Sequence, residues 1–319
     1  MLPESPAAEQ TIPNPPRWHR RNFSRLGLGL SAGIVANNAL SLAATMLFSM
    51  LDKLGVLALD RVVNTLPFWI MAYVLPSLLG LWVFWLTVRR VPAASPEQRP
   101  LPPLPFLKMY FIAAATLFIF SFFTELLLSL IASLRGAPVI NPVDIFSEMP
   151  LHITFLLTCV VAPVVEELTY RQLLIPRLRP YGDRFAVLAS ALCFALMHGN
   201  LSQFFYAFAL GVVLGHVFLK TGCVWQTILL HALINLVGGV VPMLAEAYGD
   251  TGSSFYLCFT LCHIGLGAFC FLYRRKAPVY GPGTCSLRTG QTWRLFLVNF
   301  GVILFFLMCL LLTAMNLME

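Results

Sequence analysis

The chain has 319 residues, 58% of them apolar and only 11% charged, against about 25% charged in an ordinary soluble domain. So little charge cannot coat a water-soluble globule of this size, and so apolar a chain does not stay disordered. The net charge of +7 comes from short basic clusters between apolar runs, with no basic module interleaved with aromatic residues, which excludes a nucleic-acid partner.

Residues 1–25 are polar and proline-rich, ending in Arg17, Arg20, Arg21 and Arg25. They contain no short apolar core followed by a small-residue cleavage site, so they read as a flexible cytoplasmic arm rather than a secretory signal. Nine apolar segments follow, at 26–51, 62–88, 106–134, 149–176, 185–199, 201–219, 224–247, 254–273 and 293–316. A spanning helix needs about 20 such residues. The fifth is short and the fourth long, as expected of tilted helices or helices shielded from lipid. Proline-rich stretches at 92–105 and 277–290 read as extended linkers. The expected fold is all-α, a polytopic transmembrane bundle of about eight to nine spanning helices. With the N-terminus inside, cytoplasmic stretches hold 18 Lys and Arg residues, Arg171 among them, and the far side holds three (Lys53, Arg61 and Arg135). That bias predicts an integral multi-pass protein with a cytoplasmic N-terminus. The eight cysteines fall mostly inside apolar runs and form no CxxC, so they read as small apolar side chains.

Ionisable side chains inside a membrane are costly and point to function. Four fall in patterned settings: Glu166, Glu167, His198 and His231. In Glu166-Glu167-Leu168-Thr169-Tyr170-Arg171, Arg171 lies four residues after Glu167 and shares its helical face. Glu167 therefore has a built-in counter-charge and Glu166 does not, which makes Glu166 the expected proton acceptor. Phe194 precedes His198 by four residues, and His231 precedes Asn235 by four, so each pair shares a face. Helical rise places Glu166, His198 and His231 in the middle part of the layer, where one shared cavity would satisfy all of them.

A carboxylate, two imidazoles and an amide suit peptide hydrolysis. Glu166 with one histidine deprotonates water, and the second histidine and Asn235 donate to the oxyanion. Glu166, His198 and His231 also suit a zinc ion with an open position, although no HExxH spacing is present, and the residues alone leave metal and metal-free chemistry both open. Serine (GxSG) and aspartate (GxGD) intramembrane protease motifs are absent. Of the single polar residues, His216 and His263 read as satisfied bundle residues. Glu125 reads as either structural or cavity-facing. Gly211 and Gly215 read as a close helix contact.

EExxxR, FxxxH and HxxxN in this order on successive membrane helices resemble the CAAX prenyl protease/bacteriocin-processing (CPBP, Abi) family of intramembrane endopeptidases. The resemblance covers roughly residues 150–245. It implies that Glu166 activates water with His198 assisting, that His231 and Asn235 stabilise the oxyanion, and that Glu167, Arg171 and Phe194 support the site. It favours a metal-free glutamate mechanism with no cofactor over zinc. The implied partner is a membrane-associated peptide or protein, with or without a lipid, met within the bilayer. The implied organisation is an arm (1–25), N-terminal spans (26–148), a catalytic core (149–248) and C-terminal spans (249–319). Two other readings stand beside it: a non-catalytic immunity or scaffold protein, and an ion- or proton-coupled transporter.

Overall fold

The computed structural model describes residues 15–139, 141, 142, 145, 148–273 and 280–318. Residues 1–14, together with 274–279 at the start of the 277–290 linker, lie outside the described residues. The helices in chain order are α1 (Pro16–Lys53), α2 (Leu59–Val62), α3 (Leu66–Val88), α4 (Pro103–Arg135), α5 (Leu151–Tyr181), α6 (Asp183–Met197), α7 (Leu201–Thr221), α8 (Val224–Glu246), α9 (Gly249–Leu272), α10 (Thr289–Leu297) and α11 (Phe300–Met318). Among the described residues there is no strand. Eight of these helices are long and apolar enough to cross a membrane, as the polytopic bundle requires. Leucines and phenylalanines exposed along them, such as Phe122, Leu130, Phe255 and Leu311, suit a hydrocarbon solvent.

One expectation, the short shielded fifth segment, holds, and two need correction. The segment at 185–199 is α6, only 15 residues long, which at 1.5 Å per residue reaches about 22 Å of a layer roughly 30 Å thick. It is enclosed by protein: Ala186, Ala189 and Ala191 are fully buried. First, α1 begins at Pro16, so residues 16–25 are helical rather than part of a flexible arm. Pro16 suits a first helical turn, where its missing N–H costs nothing. His19 Nδ1 lies 3.0 Å from the Tyr181 hydroxyl, and Phe23 is fully buried among Tyr181, Phe185 and Phe296. Second, the segment at 293–316 breaks between α10 and α11. Asn299 caps the second piece, its Oδ1 accepting from Val302 N at 3.0 Å.

Four turns of wide, π-helical geometry interrupt the spans, at Ile70–Val74, Leu156–Val161, Leu168–Leu174 and Leu236–Val240. A proline follows each by two residues: Pro76, Pro163, Pro176 and Pro242. Proline lacks an N–H and its ring collides with the carbonyl four residues back, and a widened turn relieves both faults. The prolines thus keep the helices continuous while re-aiming the residues around them.

Several of the basic stretches meet at one end of the bundle. Residues 92–102 form a strap bonded across one end: Ala94 N donates to Pro176 O, Arg99 N to Thr221 O, and Leu101 N to the Gln226 side chain. The 280–285 loop joins the same end, where Gly281 N donates to Asp183 Oδ2 and Cys285 N to Pro180 O. His19 meets Tyr181 there as well. Arg135 reaches the Leu317 carbonyl at the other end. Arg171 departs from its group. It is 1% exposed inside the bundle and is no part of a cytoplasmic loop.

Close helix contacts rely on glycine. A methyl group on Gly33 would lie 2.9 Å from the Gly80 carbonyl, and one on Gly211 would lie 3.0 Å from Ala191. The first contact seats α1 on α3. The second seats α7 on α6, as expected for Gly211 and Gly215.

Candidate active site

The site is built on α5, α6 and α8. On α5, the helical turn Ala162–Glu167 lies between two wide turns. The adjacent carboxylates Glu166 and Glu167 therefore point to different surroundings. Glu167 is completely buried, with Oε1 3.1 Å from Arg171 Nη1 and 2.9 Å from His231 Nδ1. Arg171 lies over the Phe194 ring, 4.5 Å from its centroid. The expected Glu167–Arg171 pair is present. Its counter-charge is reinforced by the His231 ring, which donates from Nδ1 because a carboxylate only accepts.

Glu166 is 17% exposed and its Oε2 lies 3.6 Å from His231 Nε2. That separation is too long for a good hydrogen bond but well within ionic contact. The imidazole of His231 thus stands between the two carboxylates, fixed by Glu167 and facing Glu166. Phe194 stacks edge-on against both His231 and His198, at 5.9 and 5.0 Å.

His198 owes its position to the shortness of α6. The helix stops at Met197, Gly199 turns with φ of +62°, and Asn200 opens α7 by accepting from Gln203 N. A turn buried inside the bundle must have its backbone groups satisfied by the protein. Asn316 donates to Gly199 O at 2.7 Å and Asn200 to His198 O at 2.8 Å. His198 Nδ1 donates to Phe194 O at 2.9 Å, which leaves Nε2 for the cavity. Asn235, at the end of the first part of α8, donates from Nδ2 to Thr158 O in the α5 wide turn at 2.7 Å.

A cavity of about 530 Å³ brings the expected residues together: Glu166, His198, His231, Asn235 and Phe194 all line it. Glu125 lines it too, so the cavity-facing reading of that residue holds. A second cavity of about 380 Å³ lies among α1, α3, α5 and α11, lined by Asn37, Phe84, Leu312 and Asn316. Tyr73, Ala162, Glu166 and His198 line both cavities and form the neck between them. Tyr73 and the second cavity escaped the sequence analysis. The available signal was Pro76 inside an apolar run, three residues after Tyr73, which marks the wide turn that holds it.

Two further histidines, read from the sequence as satisfied bundle residues, make structural contacts. His263 Nε2 lies 2.9 Å from the Tyr110 hydroxyl, with Nδ1 on the Phe259 carbonyl. His216 stacks edge-on against Tyr280.

Residues 148–237 match the family model described as Rce1-like, type II CAAX prenyl endopeptidase. The match takes in Glu166, Glu167, Arg171, Phe194, His198, His231 and Asn235, and agrees with the family that their spacing resembles. No curated protein and no solved structure matches the chain.

Proposed function

We propose that this protein is an intramembrane endopeptidase of the CAAX-protease kind, hydrolysing a peptide bond of a membrane-associated or lipidated substrate with water activated by Glu166. The observation that carries the reading is the contrast between neighbours. Glu167 is sealed and paired, while Glu166 opens on a cavity with His198 and His231 beside it. In the reaction, Glu166 takes a proton from water and the resulting hydroxide oxygen bonds to the carbonyl carbon. The proton then passes to the leaving nitrogen as the C–N bond breaks. His198 Nε2 accepts a hydrogen bond from the attacking water. Glu167 and Arg171 hold His231 in place.

We read the chemistry as metal-free and without a cofactor. A zinc ion held by Glu166, His198 and His231 needs three donors around one point. Among the described residues no three His, Cys, Asp or Glu side chains gather closely enough. The absence of such a cluster among the described residues supports the metal-free reading. The basic end of the bundle is read as cytoplasmic, which puts the N-terminus inside.

The test compares cells producing the wild-type protein with cells producing Glu166→Gln, using mass spectrometry of membrane and secreted peptides. The purified proteins are also presented with farnesylated Cys-a-a-X peptides in proteoliposomes. Products that depend on Glu166, at equal protein level and thermal stability, are the expected result. An identical peptide profile from the two proteins refutes hydrolysis by Glu166.

A further inference from the structure

Tyr73 belongs to α3, outside residues 148–237, yet it lines both cavities at the neck beside Glu166 and His198. It sits in the wide turn Ile70–Val74 ahead of Pro76. Four tyrosines share a cavity lining with Glu166: Tyr73 in both cavities, Tyr170 in the second, and Tyr206 and Tyr256 in the first, where the Tyr256 hydroxyl donates to Val237 O at 3.3 Å. The Tyr170 hydroxyl donates to Met197 Sδ at 2.9 Å, and Tyr206 pairs with Gln203. No partner among the described residues takes the Tyr73 hydroxyl.

A tetrahedral oxyanion needs donors aimed at it, and the other polar groups here are largely committed. The His231 ring stands between Glu167 and Glu166. Neutral His198, with Nδ1–H on the Phe194 carbonyl, presents an acceptor at Nε2. Asn235 has spent one amide N–H on Thr158 O. The phenol of Tyr73 is the uncommitted O–H at the neck.

Resting on the hydrolase reading above, we infer that Tyr73 is a catalytic residue that donates a hydrogen bond from its hydroxyl to the oxyanion of the scissile carbonyl. As the water oxygen bonds to the carbonyl carbon, the C=O π pair moves onto the carbonyl oxygen. The Tyr73 O–H stabilises that charge without giving up its proton. The pair returns when the C–N bond breaks, and the nitrogen leaves with the proton held by Glu166. The position of Tyr73 at the neck also sets the geometry of the substrate: the chain crosses from one cavity to the other, with the cleaved bond between them.

The test uses full-length protein in proteoliposomes and a synthetic peptide copied from a Glu166-dependent product site. Tyr73→Phe is expected to lower kcat by about 10²–10³-fold, the usual loss for one oxyanion donor, with KM within about two-fold and the melting temperature unchanged. A kcat within about three-fold of wild type, or a change in KM alone, overturns the assignment. If phenylalanine unfolds the protein, kcat is followed across ring-fluorinated tyrosines at 73, which keep the side chain's shape and vary the acidity of the O–H. A slope of log kcat on that acidity is expected, and a flat series overturns the role. If no product depends on Glu166, the hydrolase reading fails and this inference falls with it. A Glu166-dependent product made at full rate by Tyr73→Phe refutes the inference alone.

Discussion

Arg171→Met tests the buried pair beneath the site. Arg171 is 1% exposed and Glu167 completely buried, with 3.1 Å between them. Nε, Nη1 and Nη2 of the guanidinium have no well-aligned hydrogen-bond acceptor among the described residues, so its stabilisation comes from the charge of Glu167 and the face of Phe194. Removing the cation strands a carboxylate inside the bundle, which costs about 3–5 kcal/mol when one partner of a buried pair is lost. The lost stack on Phe194 adds about 0.5–2 kcal/mol. The double variant Glu167→Leu, Arg171→Met removes both charges and is expected to recover at least half of the loss. Apolar replacement of a buried pair is about neutral, and the remaining deficit is the lost stack on Phe194, about 0.5–2 kcal/mol, with about 1 kcal/mol for the hydrogen bond that His231 Nδ1 forfeits. Reversible unfolding in mixed micelles with increasing dodecyl sulfate measures all three proteins. A loss below about 1 kcal/mol for Arg171→Met, or a double variant less stable than the single, would refute the reasoning.

Two further substitutions probe how the site is framed. Gly222 has φ of +63°, and a methyl group there would lie 2.5 Å from the Glu97 carbonyl. Gly222→Ala should therefore cost about 1–3 kcal/mol locally and lift the strap off the bundle end, read as faster cleavage after Glu97 by a glutamyl endopeptidase; an unchanged rate counts against the strap. Asn299→Ala removes the cap of α11, with an expected loss of about 0.5–2 kcal/mol. Thermal unfolding in detergent measures it, and an unshifted transition shows that the cap is dispensable.

Much of the site was legible because its chemistry is repaid by burial. Glu166-Glu167 with Arg171 four residues on is a pattern that hydrocarbon tolerates only when paired, and the pair formed as read. The helical count was legible from length and apolarity, since hydrocarbon requires both. What the residues did not reveal depends on tertiary contact. Residues 16–25 look like a solvated arm by composition, yet His19 and Phe23 find Tyr181, Phe185 and Phe296, residues more than a hundred positions away. The break at Asn299 was hidden because a single capping amide leaves the mean hydropathy of 293–316 almost unchanged. His231 and Asn235 do share a face and a cavity, but helical spacing says nothing of what each tip meets. Glu167 takes His231 Nδ1 and the Thr158 carbonyl takes one amide N–H of Asn235, contacts that spacing alone does not reveal.

The contact between α1 and α11 carries a consequence for biosynthesis. Gly301 N donates to the Ser24 hydroxyl across 277 residues of sequence, and Leu312 and Asn316 of α11 form part of the wall of the second cavity. While the ribosome is still translating, α1 and α3 present that wall unfinished, open to surrounding acyl chains. That wall closes only when α11, the last helix to be made, docks against α1.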